Sequence, residues 1–162
     1  MSKLAERMGC NYSRYADDIT FSHSKSIRRM SLFWQSRIYN IIAGYGLKVN
    51  EKKTKTLVSG TRQEVTGVIV GDKINVPRSY IKHLRVLLHL WEKYGYTQAQ
   101  IIFTRDFCKG KEKNLVNVID GKINYPEMIK GKEDSTYRKL KSRFNCLQWK
   151  EKQKSNQMQK AI

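Results

Sequence analysis

Asp17 and Asp18 are the neighbouring side chains best suited to chemistry in this sequence, set in Asn11-Tyr12-Ser13-Arg14-Tyr15-Ala16-Asp17-Asp18-Ile19-Thr20-Phe21-Ser22. Adjacent carboxylates repel, so a fold that holds them side by side needs a counter-charge, and a divalent cation with oxygen ligands supplies one. Mg²⁺ is the expected ion, with Mn²⁺ as the alternative. An aromatic segment before the acids and the β-prone Ile19, Thr20 and Phe21 after them read as strand, tight turn, strand. The hairpin would carry both acids at its tip. The competing reading is a solvated turn, since Asp is a favoured turn residue, but such a turn has no need of Tyr15 before it or of a β-prone run directly after it.

Tyr15-Ala16-Asp17-Asp18 followed by Ile-Thr-Phe-Ser resembles the catalytic palm motif of reverse transcriptases, most closely that of the bacterial retron type. Three later stretches resemble further elements of that family in the same order. Gly46-Leu47-Lys48-Val49-Asn50 with Lys53-Thr54 resembles the next palm motif, Arg62 to Val70 with Lys73 to Arg78 resembles the segment around Val65-Thr66-Gly67, and Gly121-Lys122-Ile123-Asn124-Tyr125 resembles a thumb element. The resemblance runs from about Tyr12 to Leu147. It implies RNA-directed DNA synthesis, with Asp17 and Asp18 on the metal, Tyr15 and Ala16 at the primer terminus, Lys53 near the phosphates of an incoming deoxynucleotide and the Gly67 hairpin gripping the primer. An RNA template, a primer duplex and deoxynucleotides would be the partners. A role in antiviral defence is implied by the resemblance alone.

The chain departs from that pattern. Such enzymes carry fingers and an earlier palm strand with a further metal-binding Asp, and nothing before the hairpin matches that strand, Glu6 being the sole acid there. Two-metal phosphoryl transfer needs ligands that clamp both ions, and Asp17 and Asp18 supply part of that clamp. Two functions follow. The chain is either the partial palm and thumb of a polymerase completed by an N-terminal fingers and palm chain or fragment, or a non-catalytic basic module that binds RNA or duplex. The first predicts an exposed sheet edge and apolar face.

The elements that must position these residues follow from periodicity. Met1 to Gly9 is helix-compatible, with Gly9 as C-cap. Ile27, Met30, Trp34, Ile38, Ile41, Ile42 and Tyr45 recur at helical spacing, Arg28, Arg29 and Arg37 fall on the other side, and Gly44 and Gly46 stop the helix. Residues 55–76 read as a meander with strands at Thr56 to Val58, Glu64 to Val70 and Lys73 to Val76, turning at Gly71-Asp72. That places Gly67 inside a strand, where it would serve either close backbone approach or a bulge. Beyond Pro77, Ile81, Leu84, Leu88 and Trp91 form an apolar stripe, while Arg78, Lys82, Arg85, His89 and Lys93 form a basic one beside it. Such a helix packs inward and can touch phosphates outward, the alternative being a solvated face. Further helices are expected over Thr97 to Lys109, with Ile101, Ile102 and Phe107 inward, over Asn114 to Asp120, and over Asp134 to Trp149, capped by Asp134 or Ser135. A polar, frayed tail would follow from Glu151. The fold class is α+β, a partial palm of antiparallel hairpins with a packed helix over residues 1–77, then an all-α thumb over 78–150 and the tail over 151–162.

Composition narrows the partners. Thirty-two Lys and Arg against 14 Asp and Glu give +18 in 162 residues, the balance of a protein that lies along phosphates. The excess is +5 over residues 1–50, +6 over 51–110 and +7 over 111–162, so no segment is a detachable basic tail. Cys10, Cys108 and Cys146 lack zinc or disulfide spacing, and His23, His83 and His89 lack ligand spacing. No apolar run reaches the ~18 residues of a membrane span. The expected location is the cytoplasm.

Overall fold

Local signals set the first half of the chain. The computed structural model describes residues 1–24 and 31–160, and it divides into two compact units, Met1–Gly71 and Asp72–Ile162. The fold is α+β, with five α-helices and two small antiparallel hairpins among the described residues. The expected helix start at Ile27, with Met30, Arg28 and Arg29, lies outside the described residues.

In the first unit α1 (Ser2–Met8) buries Leu4, Ala5 and Met8 and ends where Gly9 turns left-handed at φ 64°. The Gly9 N–H donates to Glu6 O and the Cys10 N–H to Ala5 O, the paired bonds of a Schellman stop. Strands β1 (Asn11–Tyr15) and β2 (Asp18–Ser22) pair antiparallel from Asn11 opposite Ser22 to Tyr15 opposite Asp18. The rings of Tyr12 and Phe21 meet across them at 5.4 Å between centroids. Helix α2 (Ser31–Gly44) closes the same way as α1, with Gly46 at φ 71°, its N–H on Ala43 O and the Leu47 N–H on Ile42 O. None of its described side chains is buried. Trp34, Ile38, Ile41 and Ile42 are half-covered, while Leu32 and Phe33 are 82% and 59% exposed.

The second hairpin differs from the expected meander. Only β3 (Gln63–Val65) and β4 (Val68–Val70) pair, and residues 56–58 form no strand. The turn is Thr66-Gly67, not Gly71-Asp72, and Asn75 makes only an isolated bridge rather than a third strand. Thr66 and Gly67 have φ of 48° and 84°. Two successive left-handed residues match the twist of a two-residue hairpin, so Gly67 serves the turn and is not a strand glycine.

The second unit is helical. Helix α3 (Arg78–Ile102) follows Pro77 and is broken at Gly95, whose φ of 74° and ψ of 169° lie outside the helix. A π-helical turn, Phe103–Phe107, leads through a loop to α4 (Leu115–Lys130) and α5 (Ser135–Lys160). The core is built from Leu84, Leu87, Leu88 and Trp91 of α3, Leu115, Ile119 and Ile123 of α4, and Leu140, Phe144 and Leu147 of α5. Each such buried side chain contributes on the order of 2 kcal/mol. Gln100 fixes the α4 entry, accepting from Leu115 N at 2.8 Å and donating to Lys113 O at 2.8 Å.

Three helical expectations are corrected here. Ala99 and Phe103 are buried, whereas Ile101 is 55% exposed and Phe107 38%; the π turn over Phe103–Phe107 takes Phe107 off the face that Ala99 and Phe103 share. Helix α4 continues through Gly121 and Pro126 to Lys130 rather than ending near Asp120. Helix α5 continues through the expected tail to Lys160. Asp134, not Ser135, caps α5, with its Oδ1 accepting from Thr136 N and Tyr137 N at 3.0 Å each.

Candidate functional site

The tip of the first hairpin is a two-residue turn, Ala16-Asp17, with Asp18 as the first residue of β2. Ala16 carries φ 50°, a left-handed conformation that costs an Ala side chain about 1 kcal/mol. The Arg14 Nε donates to Ala16 O at 2.7 Å and braces the turn. Tyr15 through Asp18 are all exposed. Neither acid has an ion pair or side-chain hydrogen bond within the described residues, and no group of three or more His, Cys, Asp or Glu side chains there could hold a metal. Two exposed carboxylates with no counter-charge among the described residues suit a hard cation such as Mg²⁺, which takes one or two protein carboxylates and completes its shell with water and phosphate oxygens. They do not by themselves make a two-ion clamp.

Lys53 stands in the turn after Asn50, its N–H donating to Asn50 O at 3.0 Å. Its side chain is exposed and makes no bond to the hairpin. Gly67 lies in the second hairpin turn, as described above.

In the helical unit, Arg78, Lys82 and Arg85 do come together. They line one cleft of about 690 Å³ with Asn75, Lys130 and Thr136. The i, i+4, i+7 spacing sets the three cations along one side of α3, turned away from the Leu84, Leu87 and Leu88 core. His89 and Lys93 are exposed further along α3 and do not line this cleft.

Sequence reasoning missed Lys130 and Thr136, which other helices bring to this cleft. Lys130 Nζ pairs with Asp134 Oδ2 at 2.6 Å. Burial alone would raise the Asp134 pKa, but the Lys130 ammonium and the Tyr137 and Thr136 amides outweigh it and hold the carboxyl below its usual range. The sequence signal for this pair was the i, i+4 spacing around Gly131, which periodicity does not pick out because a turn, not a helix, joins the two residues.

No protein-family profile matches the chain. Curated relatives do. Over 55% of this chain it is 35% identical to the retron Mx162 reverse transcriptase of Myxococcus xanthus, covering 21% of that protein. It is 36% identical to the retron Mx65 reverse transcriptase of the same organism over 55% of this chain and 20% of that protein. It is 34% identical to the retron Ec86 reverse transcriptase of Escherichia coli over 50% of this chain and 25% of that protein. Over about half its length the chain is similar in sequence to retron reverse transcriptases, and it spans a fifth to a quarter of the length of these relatives.

Proposed function

We propose that the chain is the C-terminal palm and thumb portion of an RNA-directed DNA polymerase. The observation that carries this reading is the pair of exposed carboxylates, unpartnered among the described residues, at the tip of a tight hairpin, in a chain whose relatives are retron reverse transcriptases. Asp17 and Asp18 would hold Mg²⁺, or Mn²⁺, and the ion would supply charge neutralisation at the transferred phosphoryl group. Tyr15 and Ala16 face the primer terminus in this reading, Lys53 meets the phosphates of a deoxynucleotide, and Gly67 gives the primer a side-chain-free approach. Arg78, Lys82 and Arg85 bind the backbone of the template–primer duplex. Further polypeptide with fingers and the remaining palm completes the metal clamp. The uncovered Leu32 and Phe33 of α2 support such a partner, since apolar side chains of this size are normally covered.

The second reading is a basic RNA- or duplex-binding module without catalysis. It is favoured by one observation, the lack of a third metal-binding side chain beside Asp17 and Asp18 among the described residues. Primer extension on an RNA template with Mg²⁺ separates the two. The chain is assayed alone and with an N-terminal fingers–palm polypeptide, beside an Asp17→Asn/Asp18→Asn control. Extension in either format that vanishes in the control supports the polymerase. Binding without extension in every combination leaves the binding module.

A further inference from the structure

Most acids of the helical unit are ion-paired, and many of its cations are left over. Glu92 is bound by Arg143, Asp106 by Arg105, Asp120 by Lys141, Glu127 by Lys132, Glu133 by Arg138 and Asp134 by Lys130. Arg78, Lys82, Arg85 and Lys139 have no carboxylate partner among the described residues, and all four line clefts. The first cleft holds Arg78, Lys82 and Arg85. A second, of about 500 Å³, lies between α3 and α5 and is lined by Arg85, Thr136, Lys139, Ser142 and Arg143 among others. Arg85 and Thr136 belong to both, so the two clefts meet.

The second cleft is chemically distinct along its length. Arg143 donates to Glu92 through Nε at 2.9 Å and Nη2 at 2.7 Å. That bidentate pair spends the Arg143 charge on tying α5 to α3. What remains for a ligand is two free cations, Arg85 and Lys139, and two hydroxyls, Thr136 and Ser142. Thr136, Lys139 and Ser142 recur every three residues, spanning about 9 Å of α5, or roughly two to three nucleotide rises of about 3.4 Å. Lysine and hydroxyl donors at short intervals are the groups that contact phosphate oxygens, and the carboxylate that lines the first cleft, Asp134, is neutralised by its pairing with Lys130.

We propose that the two clefts are one phosphodiester-binding groove. It bends at Arg85 from α3 onto α5, where Thr136, Lys139 and Ser142 are further contact residues and the Glu92–Arg143 pair is its end wall. The inference rests on the nucleic-acid reading above and extends it to residues on α5.

The test is fluorescence anisotropy of the full chain with a labelled RNA–DNA hybrid and with a single strand of the same length, each over a salt series. Lys82→Gln, Lys139→Gln, Lys139→Arg and the exposed-loop control Lys111→Gln are compared, with thermal melts to check folding. Each lost duplex phosphate contact lowers the salt slope by about 0.9, and by about 0.7 on a single strand. Lys82→Gln and Lys139→Gln should each lower the slope by about one contact, Lys139→Arg should restore it, and Lys111→Gln should leave it unchanged. A slope lowered by Lys82→Gln but not by Lys139→Gln ends the groove at Arg85 and overturns this inference while the nucleic-acid reading stands. No binding by the parent chain overturns both.

Discussion

The Tyr80 hydroxyl on α3 donates to the Lys122 carbonyl on α4 at 3.0 Å, across 42 residues of sequence. Lys122 lies four residues before Pro126, which is buried inside α4. Proline has no N–H to give to the i−4 carbonyl, so the helix leaves the Lys122 oxygen vacant and a side chain from the neighbouring helix takes it. The Lys122 ammonium returns over the Tyr80 ring at 4.8 Å, and the Tyr125 ring meets it tilted at 51°, 5.1 Å between centroids. Tyr80→Phe should therefore cost about 1 kcal/mol in denaturant unfolding. In a Pro126→Ala background the restored amide can serve Lys122, and the cost of Tyr80→Phe should shrink. A double-mutant cycle with zero coupling would separate the two residues.

Backbone relief at the acidic turn is a second expectation. Ala16 holds φ 50° with no compensating side-chain bond of its own, so Ala16→Gly should leave the hairpin as stable or up to about 1 kcal/mol more stable, where other left-to-right substitutions would cost. Equilibrium urea melts followed by Tyr and Trp fluorescence would measure it, and a loss of stability would mean that Ala16 does not sit in the left-handed region.

Metal linkage offers a third check on Asp17 and Asp18. A cation that binds the folded hairpin raises its melting temperature by mass action. Titration with Mg²⁺, and with Mn²⁺ followed by its paramagnetic signal, should show a rise and a bound population that Asp17→Asn/Asp18→Asn abolishes. An equal response in that variant would assign the ion to another place on this basic chain.

Two titrations should shape stability against pH with opposite partners but the same sign. The hydrogen bond from Arg143 is the largest cause that holds Glu92 below its usual pKa of 4.5. Its stabilisation is present above pH 4.5 and is lost as pH falls through the lowered value. Burial, then the Lys122 charge, pushes His83 below 6.5. The neutral imidazole is the folded form, so stability is retained above pH 6.5 and declines as pH drops beneath it. Melting temperatures followed from neutral pH into the acid range should flatten below pH 6.5 in His83→Gln and below pH 4.5 in Glu92→Gln. Unchanged profiles in both would refute the assignment.

Much of this was legible because it is local. The Tyr15-Ala16-Asp17-Asp18 turn, the Gly9 and Gly46 helix stops and the Leu84, Leu88, Trp91 stripe each depend on a few consecutive residues or on a single period. The second hairpin was not, since Thr66-Gly67 and Gly71-Asp72 are both plausible two-residue turns, and what decides is the pairing of Val65 with Val68. The inward face after Gly95 was misassigned because the small Ala99, with Phe103, takes the core side in place of Ile101, and a π-helical turn over Phe103–Phe107 breaks the period that would have carried Phe107 inward. Thr136 and Lys139 could not be joined to Arg85 from the sequence at all, since only the packing of α5 on α3 brings residues so far apart to one groove.

Helix α5 outruns its own core. Among its described side chains the last buried one is Leu147, yet the helix continues to Lys160, about 20 Å beyond at 1.5 Å per residue. A segment that short is marginal as a helix in water without tertiary contacts. The chain therefore carries a gradient of cooperativity along one continuous helix. Amides near Phe144 should exchange with solvent only through global unfolding, whereas those near Lys152 and Lys154 should exchange through local opening. Trypsin should trim this end at Lys150, Lys152 or Lys154 long before it reaches Lys141, leaving the three-helix core and its groove intact.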